Sequence, residues 1–175
     1  AGCNTHQLID VFKFMKSKIS LGILSILFLS LVRVEAQDIP MVNFDGLAPF
    51  LSKKNDTTYV VNFWATWCRP CVEELPYFLE AEEKFKGQKV KFIMVSMDFP
   101  KMLESRLKPF LQKNKLPGQV ILLNDPDGNT WIPKVNKDWD GAIPVTYIYN
   151  KEKSIFISTN FENAEQLIKN INSIN

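Results

Sequence analysis

The stretch Asn62-Phe63-Trp64-Ala65-Thr66-Trp67-Cys68-Arg69-Pro70-Cys71-Val72-Glu73-Glu74-Leu75-Pro76 places a Cys-x-x-Cys pair between an apolar run and a helix-like one. A pair so placed can hold a metal, staple the chain, or pass electrons to another protein. The residues leading into it, Tyr59-Val60-Val61-Asn62-Phe63-Trp64, are β-branched and aromatic and read as a buried strand. Beyond it, Leu75, Phe78 and Leu79 recur at helical spacing. The cysteines therefore stand at a strand-to-helix junction.

The chain has three cysteines and one histidine, and Cys3 and His6 both precede Met15. From Met15 the sequence is basic at Lys16 and Lys18, apolar from Ile19 to Val32, and then reads Val34-Glu35-Ala36, a small-x-Ala pattern. This is the layout of a secretory signal peptide over residues 15–36. The apolar run is short beside the roughly 20 residues that a membrane span requires, so cleavage after Ala36 is favoured over retention as an anchor. Residues 1–14 read as an upstream extension with no assigned function.

The expected domain, residues 37–175, is long enough for one real core. It carries 17 Lys plus Arg against 17 Asp plus Glu, a balance that gives no reason to expect nucleic acid or an acidic surface as partner. It lacks histidine, and Cys68 and Cys71 are its only cysteines. A zinc site would miss two of its four usual ligands, and Ser-His-Asp or Cys-His catalysis is excluded.

Strand and helix signals alternate along the rest of the domain. Asp45 is expected to cap a short helix over Gly46–Lys54. Val90–Ser96 reads as a second strong strand, Leu103–Lys113 as a helix, and Val120–Leu123 as a short strand ending in a turn over Asn124–Asn129. Pro144–Asn150 and Ser154–Thr159 form a hairpin through Lys151-Glu152-Lys153, before an amphipathic helix over Asn163–Ile174. The pattern implies an α/β fold, a mixed central sheet covered on both faces. Trp131, Trp139 and Phe99 have two readings, lining the surface around the cysteines or packing in the core, and the core is favoured for each.

Trp64-Ala65-Thr66-Trp67-Cys68-Arg69-Pro70-Cys71, followed far downstream by Ile143-Pro144 before a strand, resembles the thioredoxin superfamily. Cys71-Val72-Glu73-Glu74-Leu75-Pro76, with an extra helix and strand ahead of Pro144, is similar to the TlpA/ResA-type envelope thiol-disulfide oxidoreductases. The resemblance implies a thioredoxin fold with a helix-strand insertion. It further implies a cis Ile143-Pro144 bond packed against the cysteines, an Ile143 backbone free to pair with a substrate strand, and a carboxylate at Glu74 that exchanges protons with the pair. In one respect the chain departs from cytoplasmic thioredoxins: their buried strand aspartate falls at Asn62.

The chemistry can be argued from the residues as well. Disulfide exchange needs a thiolate, and a free cysteine with pKa near ~8.5 is mostly protonated at neutral pH. At a helix N-terminus, Cys68 meets unpaired N–H groups and the positive end of the dipole, which favour its thiolate; Arg69 adds a cation, and Pro70 gives up an N–H that had no partner. Cys68 is thus the attacker and Cys71, one turn deeper, the resolver. A purely structural staple is disfavoured, because so small a loop constrains the unfolded chain little. Helical geometry sends Glu73 to water and sets Glu74 at the edge of the buried arc on the side of Cys71; proton exchanger and plain surface carboxylate are its two readings. Trp67 either contacts substrate or packs.

The expectation is a cell-envelope thiol-disulfide oxidoreductase, in the periplasm or at the outer face of the cytoplasmic membrane. It would reduce disulfides of exported proteins, with cytochrome c maturation a candidate service. No cofactor is needed, since the pair stores two electrons itself. Expected partners are protein thiols and disulfides and an upstream membrane or envelope electron donor, with no nucleic acid and a monomeric chain. A thioredoxin-like binding or chaperone module and a thiol peroxidase are the alternatives.

Overall fold

A computed structural model describes residues 38–175; the expected leader over 15–36 and the extension over 1–14 lie outside the described residues. Six strands make one sheet: β1 Met41–Val42, β2 Thr58–Trp64, β3 Val90–Ser96, β4 Gln119–Leu123, β5 Val145–Tyr149 and β6 Ser154–Ile157. Their order is β1-β4-β3-β2-β5-β6. Strands β1 to β4 pair in parallel, while β5 is antiparallel to both β2 and β6. The helices are α1 Phe44–Leu47, α2 Arg69–Lys84, α3 Lys108–Lys113, α4 Gly128–Val135 and α5 Ala164–Ile174.

Every residue of β2 is buried, because it is a central strand with helices on both faces. Its alternation divides the core in two. Val60 and Trp64 pack with Leu75 and Phe78 of α2 and Leu167 and Ile171 of α5. Val61 and Phe63 face the other way, toward Phe44 and Leu47 of α1 and Trp131 of α4. Asn62 shares the parity of Val60 and Trp64, so a polar side chain enters the layer under α2.

Three local expectations are corrected. The cap of the first helix is Asn43, whose Oδ1 accepts from Gly46 N–H at 3.1 Å, and Asp45 lies inside the first turn. The helix also ends early, in a 3-10 turn over Ala48–Phe50. The turn expected over 124–129 opens directly into α4. There Asp127 Oδ2 accepts from the Thr130 hydroxyl at 2.6 Å, and Trp131 stacks on Phe44 with ring centroids 5.9 Å apart; burial of that indole outweighs the turn-forming residues and Pro133. Finally, Leu103–Leu107 winds as a π-helix before α3. Pro109, which cannot donate to the carbonyl four residues back, accounts for the widened turn. Strand β1 is too short to leave a periodic signal.

Candidate active site

Helix α2 follows β2 through the short turn Ala65–Cys68, and Cys68 is its N-cap. The Cys68 sulfur accepts from the Cys71 N–H at 3.3 Å. Pro70 occupies the first turn, where its missing N–H leaves no gap in the helix ladder. The cysteines form a disulfide with Cα atoms 5.3 Å apart. Cys68 is 6% exposed and Cys71 0%: only the first sulfur can be approached from outside.

The Ile143–Pro144 peptide is cis, and the Ile143 carbonyl oxygen lies 3.7 Å from Cys68 Sγ. In the disulfide this is a contact without a proton. In the dithiol the Cys68 thiol can donate across it. Ile143 is half-buried and Pro144 buried.

Glu74 is 2% exposed. As the residue three after Cys71, it lies on the same face of α2. Its Oε1 accepts from Asn62 Nδ2 at 3.1 Å and its Oε2 from the Phe161 N–H at 3.0 Å. Burial pushes its carboxyl up to about 7, against the pull of the Phe161 and Asn62 donors toward the ionised form. A carboxyl so held can exchange a proton at neutral pH. Asn62 also donates to Thr146 Oγ1 at 3.0 Å, and its Oδ1 has no donor among the described residues. Turned over, the same amide would present that oxygen to a protonated Glu74, so Asn62 can serve the carboxyl in either state.

The remaining expected residues divide. Trp67 is 47% exposed beside Cys68 and is not a packing residue. Arg69 does not turn toward the sulfurs: its Nε lies 2.7 Å from Glu73 Oε1, with the two side chains 88% and 62% exposed. Its charge is largely compensated by Glu73, which points to water as helical geometry requires. Trp131 and Trp139 are core residues, 3% and 4% exposed. Phe99, expected in the core with them, is 58% exposed; Asp98 turns inward to Thr66 and Ser96, and the next side chain emerges.

The partners of Glu74 were not legible in the chain. Asn62 and Thr146 face each other across the β2–β5 ladder, a register that emerges only when the sheet forms. Phe161 contributes a backbone N–H, which leaves no side-chain signal. Among the described residues no group of three or more His, Cys, Asp or Glu side chains is arranged to hold a metal ion.

Comparison with known proteins agrees with this geometry. Residues 32–156 match the model of the AhpC/TSA family. The chain is 26% identical over 140 residues to the thiol-disulfide oxidoreductase ResA of Geobacillus kaustophilus, covering 79% of this chain and 75% of the relative. It is 25% identical over 119 residues to the thioredoxin-like protein YneN of Bacillus subtilis, covering 67% of this chain and 65%, just under two thirds, of that protein. Among solved structures, the thioredoxin-related protein from Neisseria meningitidis serogroup B superposes with a TM-score of 0.57 at 19% identity, over 70% of this chain and 86% of that one. A thioredoxin-family thiol:disulfide interchange protein from Chlorobium tepidum gives 0.56 at 19% identity, over 80% and 98%. The fold is the thioredoxin fold, with a helix-strand insertion between β3 and β5.

Proposed function

The chain belongs to the AhpC/TSA family, and from that premise we propose that it is a thiol-disulfide oxidoreductase of the cell envelope that reduces disulfides of exported proteins. The observation that carries this reading is the Cys68 sulfur. It caps α2, accepts the Cys71 N–H, is the less buried of the two sulfurs, and shares its helix with the buried carboxyl of Glu74.

In the reducing direction the Cys68 thiolate attacks one sulfur of the substrate disulfide, forming a mixed disulfide and releasing the other sulfur as a thiolate that takes up a proton. Cys71 then loses its proton, with Glu74 as acceptor, and attacks Cys68 Sγ. The bond between Cys68 Sγ and the substrate breaks, the second substrate sulfur leaves as a thiolate that takes up the proton held by Glu74, and the Cys68–Cys71 disulfide forms. Two electrons have moved, and an upstream donor in the membrane or envelope restores the dithiol. The Ile143 backbone lies at the sulfur, where a substrate strand can pair with it, and Trp67 offers an exposed ring to the same partner.

Two features support the reducing direction. A negative charge at Glu74 penalises the thiolate form, and burial leaves it little screened. The opposing cation at Arg69 is exposed and paired with Glu73. The envelope location rests on the leader-like sequence over 15–36, and no helix among the described residues is long and apolar enough to cross a membrane. Cytochrome c in maturation is the substrate class we include among exported proteins, and the acting unit is the monomer.

Against a thiol peroxidase, the Thr66 hydroxyl is engaged: it donates to Asp98 Oδ1 at 2.5 Å and is not free to serve the Cys68 sulfur. A binding module with incidental cysteines makes a different prediction for the trap variant. Cys71→Ser, expressed in cells, should accumulate mixed disulfides with other proteins through Cys68, and Cys68→Ser should accumulate none. Equal trapping by the two variants, or none by either, refutes the proposal.

A further inference from the structure

Asp98 is a carboxylate 1% exposed, outside the Glu74 network. Burying a carboxylate is costly unless its oxygens are satisfied, and here they are satisfied by neutral groups. Oδ2 accepts from the Thr66 N–H at 3.0 Å and from the Ser96 hydroxyl at 2.9 Å, and Oδ1 accepts from the Thr66 hydroxyl at 2.5 Å. The Asp98 N–H in turn donates to Ser96 Oγ at 3.1 Å. No ion pair to it occurs among the described residues.

What these bonds connect is specific. Strands β2 and β3 end side by side at Trp64 and Ser96, and the Met97 N–H donates to Trp64 O at 2.7 Å as the last rung. Beyond that rung the two chains have no further ladder. One becomes the turn Ala65–Cys68, closed by the Cys68 N–H on Ala65 O at 3.2 Å and carrying the exposed Trp67. The other carries the exposed Phe99 and enters the insertion. Asp98 grips the first through both hydrogen-bond donors of Thr66, and Phe99 is its own chain neighbour.

We infer that Asp98 is a positioning residue, which straps the Cys68 turn to the start of the insertion so that Cys68, Trp67 and Phe99 meet a protein disulfide as one preset surface. The inference rests on the exchange reading above and extends it from the sulfur to the surface that receives the partner. Ordering loops before binding favours association with an extended partner, because less freedom is lost in the complex. A small disulfide that touches only the sulfur gains nothing from it. The strap should therefore act on KM for protein disulfides and leave small disulfides unaffected.

The test compares reduced wild type, Asp98→Ala, Thr66→Val and Thr66→Ser against insulin as the protein disulfide and 5,5′-dithiobis(2-nitrobenzoate) as the small one. Asp98→Ala and Thr66→Val are expected to raise KM for insulin by about tenfold, the scale of losing one or two hydrogen bonds. Their rates on the small disulfide should stay within about twofold of wild type, and Thr66→Ser should restore the insulin KM. Should Asp98→Ala fail to fold, Thr66→Val at a half-buried position carries the same comparison. Equal losses on both disulfides, or unchanged KM for insulin, overturn the inference and leave the exchange reading standing. A wild-type protein that reduces neither disulfide overturns both.

Discussion

Glu74 is buried on α2 three residues after Cys71, in a helix whose N-cap sulfur must become a thiolate to work, and a negative charge on it opposes that change. With its carboxyl at about 7, the residue is part ionised at neutral pH and can take the Cys71 proton as resolution begins. Glu74→Gln keeps an oxygen for the Asn62 amide and removes the charge. The reduced variant is expected to react faster at Cys68 with iodoacetamide at pH 7, by about three- to tenfold, because the thiolate no longer faces a negative neighbour. Resolution of mixed disulfides by Cys71 should slow over the same pH range. Superimposable pH profiles for wild type and variant would remove Glu74 from the mechanism. At this scale the sequence was partly legible. Helical spacing from Cys71 set Glu74 on the correct side, while its depth was settled by α5 and the preceding Phe161 closing over it, contacts between residues 87 apart.

Helix α2 brings the site residues together, and its first turn shows which nearby charges count. Arg69 and Glu73 compensate each other in water at i and i+4, an arrangement worth little in stability and screened by salt. Arg69→Gln is therefore expected to change Cys68 reactivity by less than Glu74→Gln does. A larger effect of Arg69 in the same alkylation measurement would contradict this ranking. Helix α5 holds the other side of the site, with Leu167 and Ile171 0% exposed. Leu167→Ala should cost about 2–5 kcal/mol in urea unfolding; a cost under ~1 kcal/mol would show that α5 is not a structural wall of the site. Elements with long apolar periodicity, β2, β3, the β5–β6 hairpin and α5, were legible for the reason that makes them stable: their pattern is their burial. Helix α4 was not, since turn-forming residues mark its start and only the tertiary contact of Trp131 with Phe44 and Phe63 reveals it. The cap falls at Asn43 and not Asp45 although both residue types cap well, because Phe44, buried against Trp131 of α4, begins the helix.

For the whole molecule, the buried carboxyl links folding to pH. The folded value for Glu74, about 7, lies above its ordinary value of 4.5. Its contribution to stability is thus fully present below about 4.5 and is lost as pH rises through about 7, a swing of about 3 kcal/mol. In the oxidised protein, where the cysteines do not titrate, urea midpoints at pH 5 and pH 8 should fall further with rising pH for wild type than for Glu74→Gln. Parallel curves would contradict the linkage. The same balance of charges sets the redox poise that the proposed function requires, since a buried carboxylate one helical turn past Cys71 and a compensated Arg69 both favour the thiol over the thiolate. The most direct test is the equilibrium potential of the Cys68–Cys71 couple, measured by equilibrating the wild-type protein with dithiothreitol redox buffers and quantifying free thiols. The account predicts a reducing couple, toward the roughly −270 mV of thioredoxin. A value near about −120 mV, that of the strong oxidants, would contradict it.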